Sequence, residues 1–95
     1  MAVIGTSEGL VAVTTAGSGS TAPLFARYVR MARTTAATTG DQVILRSSSG
    51  TTAIIWEDTY KPGQSQLSVS DNIGINLPIG FYVPTLDNGV LYIYR

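Results

Sequence analysis

No cysteine and no histidine occur in the 95 residues. The first absence removes disulfides, thiolate nucleophiles and sulfur metal ligands, and leaves the redox compartment open. The second removes the commonest general base and the imidazole metal ligand, and with them chemistry of the Ser-His-Asp type. Charge is scarce as well: 13% of residues are charged, against about 25% in ordinary domains, and six basic side chains balance six acidic ones. Lys61 is the single lysine, so the serines of Ser47-Ser48-Ser49 have one candidate base, and it stands beside Pro62-Gly63, where a solvated amine is expected. There is no Gly-Lys-Ser/Thr phosphate loop, no dinucleotide-binding glycine pattern and no EF-hand spacing. No segment reaches the roughly 20 apolar residues of a membrane-spanning helix, and residues 1–8 lack the basic and apolar stretches of an export signal. Neither membrane insertion nor signal-directed export is expected.

The six carboxylates give little chemistry of their own. Glu57 and Asp58 are adjacent, so on a strand they face opposite ways and cannot converge on one bond as a glycosidase pair does. Asp41 and Asp87 stand in glycine-containing turn sequences, where aspartate commonly satisfies local backbone. The expectation is a protein that is not an enzyme and holds no cofactor and no metal.

What the chain does contain is strand sequence. Its 44% hydrophobic residues fall in short bursts rich in Val, Ile, Thr and Tyr, separated by Gly, Ser, Asn and Pro clusters. The bursts are Leu10-Val11-Ala12-Val13, residues 24–32, residues 42–46 with Val43 and Leu45 as core, residues 52–57, residues 67–69, residues 81–86 and residues 90–95. Ser48-Ser49-Gly50 predicts a hairpin turn, Tyr60-Lys61-Pro62-Gly63 a type II turn, and Asp87-Asn88-Gly89 a tight turn with positive φ. Pro84 predicts an edge or a bulge. Residues 71–77 are weakly patterned and predict an irregular connection, while the Gly/Ser-rich residues 16–23 predict a mobile loop. Together these give one all-β domain over residues 1–95, a small antiparallel β-sandwich or jelly roll of about seven to eight strands without significant helix. Residues 1–23 enter as an N-terminal strand or as an arm toward a neighbour.

Such a chain works by presenting surface. Zero net charge and a sparsely charged exterior suit a subunit whose surface is covered by partners, as a homo-oligomer or docked on a larger body. Trp56, between Ile55 and Glu57, and the Tyr92 and Tyr94 strand are candidate interface anchors, since Trp, Tyr and Arg dominate interface energetics. Arg27 and Arg30 flank Tyr28 and join the candidate set. With strict alternation Arg27 and Arg33 share one face and Arg30 takes the other, which argues for an interface or solvated face and against a nucleic-acid stripe. Exposed Trp56, Tyr60, Tyr82, Tyr92 and Tyr94 would also suit a glycan-binding module.

The stretch Gly40-Asp41-Gln42-Val43-Ile44-Leu45, the turn at Gly50, Ile55-Trp56-Glu57, and the ending from Gly80-Phe81-Tyr82-Val83-Pro84-Thr85-Leu86 through Asp87-Asn88-Gly89 to Val90-Leu91-Tyr92-Ile93-Tyr94 resemble small β-sandwich virion structural proteins of tailed bacteriophages. The likeness is one of strand and turn pattern and spans residues 24–95. It implies a structural component of the virion, a capsid decoration or cement protein or a neck or tail accessory subunit, placed among other virion proteins in symmetric copies. It transfers no active-site residues.

Overall fold

The computed structural model describes residues 3–7, 10–47, 54–61 and 67–95, with residues 3–7 described for their backbone. Nine strands run through them: β1 (Val3–Ser7), β2 (Leu10–Val13), β3 (Ser18–Ser20), β4 (Leu24–Arg33), β5 (Gln42–Ser47), β6 (Ile54–Thr59), β7 (Ser68–Leu77), β8 (Phe81–Leu86) and β9 (Gly89–Tyr94). No helix occurs among the described residues. One sheet has the order β1-β2-β9-β4-β7 and the other β3-β8-β5-β6, with every pairing antiparallel. The chain passes between the sheets at most of its turns, and only β1–β2 and β5–β6 are hairpins within one sheet.

The two sheets close over one apolar core. Val11, Val13, Val29, Met31, Leu91 and Ile93 enter it from the five-stranded sheet, and Val43, Leu45, Phe81, Val83 and Leu86 from the four-stranded one. Val43 and Leu45, read as core from their spacing, are wholly buried.

Four sequence expectations are corrected or refined by this arrangement. The serine-rich run at 16–23 is not all loop, because Ser18–Ser20 pairs with Val83, Tyr82 and Phe81. A Cβ at Gly19 would lie 2.5 Å from the Phe81 carbonyl oxygen, so glycine here permits a backbone approach that composition alone reads as flexibility. Residues 71–77 are not an irregular connection but the last seven residues of the ten-residue strand β7. That strand lies at a sheet edge with Ser68, Ser70, Asp71, Asn72 and Asn76 exposed, polar content that protects an edge from stray pairing and also masks its period of two. In β4 the inward set changes from Leu24 and Ala26 to Val29, Met31 and Arg33. The change coincides with a register slip between Ala26 and Tyr28, opposite a stretch of β7 that holds Gly74 at φ 54. Strict alternation therefore fails across residue 27, and Arg27 is exposed while Arg33 is buried. Finally, β1 and β2 are strands of the five-stranded sheet.

Other expectations hold. Pro84 sits at a bulge: the β5–β8 register slips between Ile44 and Arg46, so that Val83 and Pro84 both face Leu45, and the missing N–H falls where the ladder is already broken. Asn88 takes φ 53 in the turn between β8 and β9. The turns expected at Ser48-Ser49-Gly50 and Pro62-Gly63 lie outside the described residues.

Candidate functional site

The outer face of the five-stranded sheet is built by three cross-strand rows. Leu10 stands opposite Tyr94, Tyr94 opposite Tyr28, and Tyr28 opposite Asn72. In the next row Ala12 faces Tyr92, Tyr92 faces Arg30, and Arg30 faces Ser70; in the third, Val90 faces Ala32. The alternate positions, among them Ile93, Val29, Leu91 and Met31, point into the core, and burial of that set fixes the tyrosines outward.

The side chains of the first two rows hold one another. The rings of Tyr28 and Tyr94 pack with centroids 4.9 Å apart and planes tilted by 59°. Arg30 lies over the Tyr92 ring, 4.6 Å from guanidinium carbon to centroid. A hydrogen bond to Tyr94 holds the pKa of Arg30 above the ordinary arginine value. All four residues are half-buried, and Arg27 stands exposed beside them. The result is a rigid aromatic and guanidinium surface on two central strands of the sheet.

Of the residues singled out from sequence, Tyr92, Tyr94 and Arg30 come together here, with Arg27 adjoining. Trp56 does not join them. It stands opposite fully buried Leu45 on β6 of the other sheet, half-buried against the core. Sequence reasoning misses Tyr28 as a site residue because its place depends on the β4–β9 pairing, a contact between distant parts of the chain. The period-two spacing Tyr28-x-Arg30, set beside Tyr92-x-Tyr94, is the signal that could have found it.

At one end of the sandwich three carboxylates, those of Asp41, Asp87 and Asp58, are used structurally. Asp41 accepts hydrogen bonds from Asn88 Nδ2 at 2.8 Å, from Thr38 N at 2.9 Å and from Thr38 Oγ1 at 3.1 Å. Asp87 Oδ2 accepts from Gln42 N at 2.9 Å. Asp58 Oδ2 lies 2.9 Å from Arg33 Nη2, off the hydrogen-bond direction, in an ion contact between β6 and β4, and the Tyr60 ring lies 5.4 Å from the Arg33 guanidinium. Glu57 faces away from Asp58, exposed, as adjacent strand residues must. Among the described residues no three Asp, Glu, His or Cys side chains gather as a metal-ligand set.

The hydrogen bonds from Asn88 and then Thr38 hold the pKa of Asp41 below the usual carboxylate value. A carboxylate depressed in the folded state stabilises above its unfolded pKa, and that contribution is lost as pH falls through the folded one. The gap in thermal midpoint between wild type and Asp41→Ala is therefore expected to be present at neutral pH and to shrink only in strong acid. Calorimetry across the acid range checks this, and a gap that does not change with pH would deny the carboxylate that part.

Compared with protein-family models, curated proteins and solved structures, the chain matches none.

Proposed function

We propose that the chain is a non-catalytic structural subunit that docks onto a larger protein assembly through the outer face of its five-stranded sheet. The observation that carries this reading is the Tyr28, Arg30, Tyr92 and Tyr94 cluster, held in place before any partner arrives. Tyr and Arg are enriched at interface centres, and side chains already fixed lose little entropy on binding. The strand and turn resemblance points to a tailed-phage particle as the assembly, with the chain as a capsid decoration or cement protein, or as a neck or tail accessory subunit.

A glycan-binding module is less well supported by the same face. Sugar stacking needs an open ring, yet Arg30 already covers one face of Tyr92, and the 59° tilt between Tyr28 and Tyr94 gives no flat platform.

Quantitative mass spectrometry of purified particles tests the proposal. Copies on the order of hundreds per particle indicate capsid decoration, a few dozen or fewer a neck, tail or vertex position, and none removes the virion reading. Tyr94→Ala is expected to weaken docking by about 2 kcal/mol, roughly 30-fold in Kd, while the free chain loses only about 1 kcal/mol of stability. Unchanged occupancy with Tyr94→Ala would move the interface elsewhere.

A further inference from the structure

We infer that the surface this face docks against is acidic protein, neither a second copy of the chain nor a nucleic acid. The inference rests on the docking reading above and names the chemistry of the same face.

The charge pattern carries it. Arg27 and Arg30 are the charged residues at outward positions of the five-stranded sheet. The five strands contain a single carboxylate, Asp71, and its register opposite Val29 places it in the inward set, exposed at the β7 edge. The face is thus cationic although the chain as a whole is neutral. A two-fold contact between copies would press this patch against itself, bringing Arg27 and Arg30 near their own copies with no carboxylate at an outward position of the five strands among the described residues to offset them. Association of copies, where it occurs, uses another surface.

Nucleic acid fits less well. Bases bind such proteins by stacking on open aromatic faces along a track of several cations. Here one face of Tyr92 is covered by Arg30, Tyr28 and Tyr94 pack on each other, and the cations number two. A guanidinium held over a ring, as Arg30 is over Tyr92, keeps the planar fork of N–H donors that grips a carboxylate with two hydrogen bonds. Arg30 gives part of its donor set to Tyr94 and retains others, and Arg27 is unrestricted by any ring.

The test is amide NMR of the full chain, titrated separately with a glutamate/tyrosine copolymer, polylysine and oligothymidylate. The copolymer is expected to shift the amides of Tyr28, Arg30, Tyr92 and Tyr94 at low ionic strength. Binding should fall at least about tenfold in R27E/R30E and be largely lost at about 0.5 M salt. R27K/R30K, which keeps the charge but not the planar fork, should fall between. Unaltered thermal midpoints establish that the changes at exposed Arg27 and half-buried Arg30 leave the fold in place. No response of these amides to the copolymer, tighter binding of oligothymidylate, or a Tyr94-dependent dimer of the free chain would each overturn the inference. The docking reading fails separately: Tyr94→Ala would leave particle occupancy unchanged. Occupancy lost in Tyr94→Ala but retained in R27E/R30E would keep the docking face and remove the acidic partner.

Discussion

Replacing Asp58 by alanine lowers stability by about 3 kcal/mol, the low end of what breaking a buried ion pair costs. The Arg33 side chain is 0% exposed and that of Asp58 26%, so the substitution strips the one carboxylate among the described residues that touches a guanidinium with no route to water. Its Nε and Nη1 atoms already lack hydrogen-bond partners, and Nη2 has the Asp58 carbonyl oxygen at a long 3.4 Å. The Tyr60 ring remains, a contact worth about 2 kcal/mol to a desolvated cation. Because β4 and β6 belong to different sheets, this contact ties the layers together at the end of β4 remote from Leu24. For a domain this small a loss of 3 kcal/mol lowers the thermal midpoint by roughly 12 °C or more. The double variant Arg33→Met, Asp58→Leu removes both charges and fills similar space, and is expected within about 1 kcal/mol of wild type. Urea denaturation of the three proteins decides the matter. A loss below about 1 kcal/mol in Asp58→Ala would mean that the ring and the backbone carbonyl hold the guanidinium unaided.

The same arginine shows where sequence reading reaches its limit. Val43 and Leu45 can be assigned to the core because strand β5 alternates without interruption, and Asn88 can be given positive φ because Asn-Gly has few other uses. Both are local facts. Arg33 cannot be placed inside from sequence, because its direction depends on the register slip between Ala26 and Tyr28, and that slip depends on where β7 pairs. Strand β7 is itself hidden by the serines and asparagines that guard its edge. The candidate site divides in the same way. Tyr92 and Tyr94 are legible as a period-two pair, whereas their meeting with Tyr28 and Arg30 joins strands more than fifty residues apart and is fixed only by the sheet order. Trp56 is legible as an anchor, and its destination against the core follows from pairing with Leu45, which a single strand does not reveal.

Gly80→Ala should be at least as damaging as loss of Asp58, and for a reason that separates two roles of glycine. Gly80 has φ 88, and a Cβ there would lie 1.8 Å from the Ser20 carbonyl oxygen, 2.7 Å from the Ser20 carbonyl carbon and 2.8 Å from Thr21 Cα. Every obstructing atom is backbone, so no rotamer change relieves the contact. Gly17 has nearly the same torsion, φ 83, and a Cβ there would meet nothing within 4 Å, so Gly17→Ala isolates the torsional cost at about 1 kcal/mol. Gly80→Ala adds displacement of the chain at the end of β3, and a loss of roughly 3 kcal/mol or more is expected. The displacement has a visible consequence, since Ser20, Leu24 and Phe81 line a crevice of about 70 Å³ with Val11 and Arg95. Moving Ser20 away from Phe81 breaks the last β3–β8 pair and widens that crevice. Hydrogen exchange should then show β3 and the start of β8 losing protection in Gly80→Ala while β4 and β9 keep theirs. Equal losses in the two glycine variants would instead place the whole cost in the torsion, and β3 would be a strand held by its pairing alone.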